Sequence, residues 1–122
     1  MAVKYFFIFF FILLSCNRSS TSKYIISPSK FYKLQSVSEN HLITIKLFDD
    51  KNILLSQLET GGSGYSKWAI NWHPLRDTII LISKDIGIFA WRITENKNLE
   101  KIAISLDIDV AAIDIFNKKY GK

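Results

Sequence analysis

The stretch 67–93 most constrains the fold, because its apolar residues recur at every second position. Trp68, Ile70 and Trp72 alternate with smaller or polar residues, a pattern typical of a strand with one buried face. Pro74 cannot donate a hydrogen bond within a sheet, so we expect a turn at 73–77. The β-branched run 78–83 and the apolar stretch 86–93 predict two further strands. We expect Trp72 to be buried between this hairpin and a helix.

Similar patterns elsewhere predict a protein built mainly from strands. Strands are expected at 24–26, 31–37, 41–48, 53–58 and 101–105, with a turn at 49–52 whose Asp and Asn residues favour turns. From Asp107 onward, Ile108, Ala112, Ile115 and Phe116 fall at helical spacing. The sequence therefore predicts a mostly β (α+β) fold, an antiparallel β-meander of about 5–7 strands with one C-terminal helix.

The N-terminus has the layout of a secretory signal peptide. Lys4 precedes an uninterrupted apolar run at 5–14, and the small residue Ser15 follows it. The run is too short for a transmembrane helix, which needs roughly 20 residues. We therefore expect an exported chain whose signal peptide is removed.

The end of the apolar run reads Leu13-Leu14-Ser15-Cys16, which resembles the lipobox of bacterial lipoprotein precursors. The resemblance implies cleavage between Ser15 and Cys16, diacylglycerol on the Cys16 thiol and often an acyl chain on the new amino group. Two or three acyl chains hold a protein on a membrane where one is marginal. Cys16 is the only cysteine, so no internal disulfide can form. The expected location is the bacterial cell envelope, with the inner or outer membrane undecided.

The expected domain organisation follows from this anchor. Residues 1–15 are the signal peptide, 16–23 the lipidated N-terminus and a flexible polar tether, and 24–122 a single small globular domain. The net charge of +5 is dispersed along the chain, which is more typical of a solvated surface than of a nucleic-acid interface. We therefore expect no nucleic-acid partner, and a modest attraction to anionic lipid headgroups beside the anchor.

The segment from Ile70 through His73-Pro74 and Asp85 to Trp91 looks like one blade of a WD-repeat propeller. A propeller needs typically 4–8 such blades, and the expected mature chain would have 107 of the 122 residues. We therefore interpret the segment as a three-stranded meander, and the resemblance implies no function.

The residues that usually carry chemistry are not arranged as a recognisable site. His41 and His73 are the only histidines, and their spacing does not suggest a metal site. Gly62-Ser63-Gly64 approaches a phosphate-binding loop, but it precedes a predicted strand whereas such loops open a helix. The sequence predicts no catalytic residue, no cofactor and no metal.

Three functions remain open. The first is a non-catalytic envelope lipoprotein that binds another protein or an envelope component. The second is an inhibitor or immunity-type lipoprotein, and the third is a lipid-anchored enzyme. For a binding protein, we expect the glycine-rich segment 60–66 to be a flexible loop that presents Tyr65 to a partner, because tyrosine is enriched at interfaces.

Overall fold

Two antiparallel sheets and one helix make up the part of the chain that the computed structural model describes, residues 20–21 and 23–121. Ser15 and Cys16, the predicted cleavage and lipid-attachment residues, lie outside the described residues. In the first sheet, β3, β4 and β5 lie side by side, and the two short strands β1 and β2 pair with the outer edge of β3. These strands are β1 (Ser20–Thr21), β2 (Ile25–Ile26), β3 (Tyr32–Glu39), β4 (Leu42–Asp49) and β5 (Leu54–Ser63).

The second sheet is a simple meander in the order β6-β7-β8-β9. Its strands are β6 (Trp68–Trp72), β7 (Thr78–Ser83), β8 (Gly87–Ile93) and β9 (Leu99–Ile102). Helix α1 (Leu106–Tyr120) follows directly, with Asp107 and Asp109 in its first turn and Lys118 and Lys119 in its last. This charge distribution complements the helix dipole.

The structure confirms the predicted fold class, a mostly β meander with a single C-terminal helix. The seven strands of four or more residues, β3–β9, agree with the predicted number, and β1 and β2 add two short segments. Three details differ from the prediction. Ser20 and Thr21, placed in the tether by their composition, form β1. The last strand ends at Ile102 rather than continuing to Ser105. The 67–93 meander has a fourth strand, β9, which completes the strand count of a propeller blade.

The two sheets pack face to face around one apolar core. Leu34, Ile45 and Leu47 come from the first sheet, and Trp72, Ile79, Leu81 and Trp91 come from the second. The residues alternate along each strand because successive side chains point to opposite faces of a sheet.

Helix α1 covers the outer face of the second sheet and forms a separate core with it. Ile108, Ala111, Ala112 and Ile115 of the helix pack against a sheet face lined by Ala69, Ile80 and Ala90. The small residues Ala69 and Ala90 let the helix approach the sheet closely. The helix thereby occupies the face on which a further propeller blade would stack.

Trp72 lies between the two sheets, not between the hairpin and the helix as expected from sequence. It is 5% exposed, and its indole Nε1 donates a hydrogen bond of 2.8 Å to the backbone oxygen of Ile25. The helix instead packs on the opposite face of β6, where Ala69 is buried. Trp72 therefore contributes both apolar burial and the attachment of β2 to the second sheet.

Replacing Trp72 by Ala should lower the free energy of unfolding by about 3–5 kcal/mol, the usual cost of truncating a large buried aromatic residue. Denaturant unfolding of the full chain would measure this loss. Leu75→Ala is the matched control, since Leu75 is 83% exposed and should change stability by less than about 0.5 kcal/mol. A loss below about 1 kcal/mol for Trp72→Ala would contradict the packing described here.

Candidate functional site

A groove runs along the outer edge of β6. One part, of about 420 Å³, is lined by residues of β2, β3, β6 and α1, and a second part of about 250 Å³ continues it past Trp72 and His73. Both parts share Asn71, Ile115 and Lys118. Strand β2 forms one wall, α1 forms the other, and the edge of β6 is the floor.

The hydrogen-bond register of β6 determines which backbone groups face the groove. The carbonyl of Lys67 accepts from Lys84, and the amide of His73 donates to Thr78, so the odd-numbered residues bond to β7. In an antiparallel pair the residues between them direct both N–H and C=O to the other side. The contacts of Trp68 agree, because its amide donates to Tyr120 Oη and its carbonyl accepts from Lys119 Nζ.

Ile70 therefore directs its N–H and C=O into the groove. It occupies the middle of the edge strand, between Trp68 and Trp72, and lines the larger part of the groove. The edge of a sheet is a template on which an extended chain can add a further strand. An extended peptide laid along β6 would form backbone hydrogen bonds to Ile70.

The helix wall gives this groove a positive rim. Lys118 and Lys119 of α1 line it near Trp68, and the ammonium of Lys119 lies 4.3 Å from the centroid of the Trp68 ring. Lys118 forms an exposed ion pair of 3.3 Å with Asp114, one helical turn earlier. Exposed pairs of this kind are weak, so Lys118 can exchange Asp114 for a carboxylate of a bound segment.

His73 lies at the far end of the groove and has both ring nitrogens engaged. It is 4% exposed, its Nδ1 accepts a hydrogen bond of 3.1 Å from the amide of Leu75, and its Nε2 is 3.0 Å from Asp107 Oδ2. With Nδ1 as an acceptor, Nε2 carries the proton and donates to Asp107. Both ring nitrogens are bonded within the protein, so this cluster is a link between β6 and α1.

Asp107 is the centre of that link. Its Oδ1 accepts from the Ser105 hydroxyl, and its Oδ2 accepts from Arg76 at 2.5 Å as well as from His73. Hydrogen bonds from Ser105, then Arg76 and His73, lower the pKa of Asp107 from 3.8 to about 2, with the Arg76 charge adding to the effect. The ionised carboxylate thus fixes the start of α1 against the turn after β6.

We expect Asp107→Asn to lower the thermal midpoint of unfolding at pH 6, and we expect this destabilisation to disappear in acid. A depressed folded-state pKa contributes stability that is fully present above the ordinary pKa of 3.8 and is lost as the pH falls toward about 2. Melting curves between pH 6 and pH 2 should therefore show wild type and variant converging. Asp109→Asn, which removes the same charge from the same turn, should cost less at pH 6. If the thermal midpoint of the wild type exceeded that of Asp107→Asn by the same amount at pH 2 as at pH 6, the stabilising role of the ionised Asp107 carboxylate would be contradicted.

Tyr65, the partner-binding residue suggested by sequence, lies outside the groove. It is 76% exposed, its ring stacks on His41 with centroids 3.9 Å apart, and its hydroxyl is 2.6 Å from His41 Nε2. His41 belongs to the β3–β4 turn, so the structure pairs two residues that the sequence separates by 24 positions.

The segment around Tyr65 is more ordered than expected for a flexible loop. β5 continues to Ser63, and the Thr60 hydroxyl donates to the carbonyl of Ile43 at 2.9 Å. Gly61, with φ +84°, lies where the register between β4 and β5 shifts, a conformation that glycine adopts without strain. The expectation of a loose connection at 60–66 is therefore wrong for 60–63.

Asp49 ends β4 and Asp50 begins the β4–β5 turn, in which Asp49 Oδ1 accepts hydrogen bonds from the amides of Lys51 and Ile53. Within residues 20–21 and 23–121, no group of three or more His, Cys, Asp or Glu side chains could hold a metal ion. No helix of that same part of the chain has both the length and the apolar character needed to cross a membrane.

The chain matches no protein-family model, no curated protein and no solved structure.

The sequence pattern did not predict the groove along β6. The alternation at 68–72 predicted a strand. That β6 is an edge strand follows only from the sheet order, in which β6 pairs with β7 and with no other strand of the second sheet.

Proposed function

We propose that this protein is a small, non-catalytic lipoprotein of the bacterial cell envelope, anchored through Cys16, which binds an extended segment of a partner protein along β6. The observation that supports binding is the groove, whose floor presents the N–H and C=O of Ile70 between two walls. Strand addition at a sheet edge is a common way to bind an extended peptide, with backbone hydrogen bonds supplying affinity.

The groove also favours a particular chemistry in the partner. Ile25, Ile70 and Ile115 offer apolar contact, and Lys118 offers positive charge on the helix wall. A segment with one or two apolar side chains followed by a carboxylate fits both features. Complementary charge at the rim would fix the direction in which the segment binds.

The geometry favours binding over catalysis. His73 borders the groove, is buried and lies beside the carboxylate of Asp107, so it is the described histidine that most resembles a catalytic group. Its two nitrogens are already committed to Leu75 and Asp107, and Asp107 itself is held by Ser105 and Arg76. An inhibitor or immunity-type lipoprotein is a special case of the same proposal, in which the bound partner is a toxin or lytic enzyme.

Ile70→Pro is a sharp test of strand addition. Proline lacks the N–H that Ile70 directs into the groove, and the bonds between β6 and β7 come from the odd-numbered residues, so the sheet itself is retained. Proline is tolerated on an edge strand where its N–H would face outward. We expect the variant to unfold cooperatively but to lose its partner, whereas Ile70→Val should retain it.

Photo-crosslinking in living cells would measure that loss. A crosslinking residue at Lys118, on the groove rim, should trap a partner in the wild-type and Ile70→Val backgrounds and not in Ile70→Pro. Lys101 on β9, at the opposite edge of the same sheet, is the matched control position. Equal crosslinking in all three backgrounds, or crosslinking only from Lys101, would contradict the groove as the binding site.

The anchor is tested separately through Cys16. Because Cys16 is the only thiol in the sequence, Cys16→Ala should abolish incorporation of labelled fatty acid and leave the signal peptide uncleaved. Cys16→Ser controls for the size of the side chain and should behave like the Ala variant. A Cys16→Ala protein that still incorporates fatty acid would rule out lipidation at this residue.

A further inference from the structure

The pairing of β1 determines which end of the protein lies closest to the proposed anchor. Ser20 pairs with Ser38 and Thr21 with Val37, antiparallel to β3. Ser20, the first residue of β1, therefore lies at the end of β3 that leads into the β3–β4 turn. Cys16 is four positions before Ser20, and four residues span at most about 14 Å. A lipid on Cys16 would hold this end of the domain at the membrane surface.

That end carries an excess of positive charge. It is formed by the β3–β4 turn, the β5–β6 connection, the β7–β8 turn and the last turn of α1. Hydrogen bonds join these four segments to one another, between Gly64 and His41, Ser63 and Asp85, Lys84 and Lys67, and Trp68 and Tyr120. We call it the basic end. Its charged residues are Lys67, Lys84, Lys118 and Lys119, against Glu39 and Asp85, and Lys118 is also ion-paired with Asp114 one helical turn earlier.

The opposite end, called the acidic end, has the reverse balance. It contains the β2–β3, β4–β5, β6–β7 and β8–β9 turns and the start of α1. Its carboxylates are Asp49, Asp50, Asp77, Glu95, Asp107 and Asp109, against the basic residues Lys30, Lys33, Lys51, Arg76 and Lys97. The described domain is thus polarised along its length, with the positive end on the side of Cys16.

Aromatic rings accompany the lysines of the basic end, with Tyr65 and Tyr120 exposed and Phe116 half-buried. Lys67 lies 5.5 Å from the Tyr120 ring, and Lys84 lies 5.6 Å from the Phe116 ring. Tyrosine and tryptophan are enriched at membrane interfaces, where the ring contacts the apolar boundary and the polar atom stays hydrated. Lysines near an anionic bilayer are attracted to its headgroups.

We infer that the basic end rests on anionic lipid headgroups, with Lys67, Lys84 and Lys119 facing the bilayer and the acidic end pointing away. This inference rests on the proposed anchoring through Cys16. It leaves the groove along β6 on the side of the domain, reachable by a partner in the envelope. The lipid chains attach the protein, and the basic end determines its orientation.

The experiment uses the full lipidated chain on vesicles of phosphatidylcholine, alone or mixed with phosphatidylglycerol. The lysines are acetylated with a water-soluble reagent, and mass spectrometry measures the acetylation rate of each lysine side chain. On anionic vesicles, labelling of Lys67, Lys84 and Lys119 should slow by roughly fivefold or more relative to neutral vesicles, and recover in high salt. Lys30, Lys51 and Lys97 at the acidic end are internal controls and should not change.

Paired charge reversals test whether the lysines of the basic end cause the protection of Lys119. Lys67→Glu with Lys84→Glu should remove the protection of Lys119, whereas Lys30→Glu with Lys51→Glu should leave it intact. Failure of the wild-type chain to float with neutral vesicles would contradict the anchor, and this inference with it. A chain that floats but shows equal labelling at both ends, or protection of the acidic end, would overturn the orientation alone.

Discussion

Strand β7 is buried on both faces, and this burial holds the two sheets and the helix together. Ile79 and Leu81 fill the core between the two sheets, while Ile80 lies under helix α1. Strands β6 and β8 also contribute to both cores, through Trp72 and Ala69 of β6 and Trp91 and Ala90 of β8. The two cores therefore share the three strands β6, β7 and β8, and each stabilises the other through them. Because an apolar strand of this kind needs cover on both sides, the first sheet and the helix have fixed positions relative to the second sheet.

That arrangement explains why the groove exists. The helix and the first sheet cover opposite faces of the second sheet, so they extend past the edge strand β6 as two walls. The link between His73 and Asp107 fixes the helix at one end of β6, and the bonds from Lys119 and Tyr120 to Trp68 fix it at the other. The indole of Trp72 fixes the β2 wall. A rigid frame around an open strand edge is suited to binding an extended segment.

The sequence was informative about local structure and much less so about the site. The alternation of Trp68, Ile70 and Trp72, the β-branched run at 78–83 and the helical spacing after Asp107 correctly predicted their elements. Periodicity does not reveal which strands pair, so the edge position of Ile70 could not be predicted. The contact of His73 with Asp107 joins residues 34 positions apart, and the order at 60–63 comes from the Thr60 hydroxyl bonding to Ile43. Both are tertiary interactions that composition does not encode.

Residue-resolved amide hydrogen exchange by NMR would show whether β6 has an open edge facing the groove. The amides of Ala69 and Asn71 lie in the bonded register with β7, whereas that of Ile70 faces the groove. We predict that Ile70 exchanges at least about a hundredfold faster than its two neighbours, because local opening is not needed to expose it. Equal protection of all three amides would show that the edge is already covered, and would contradict the account.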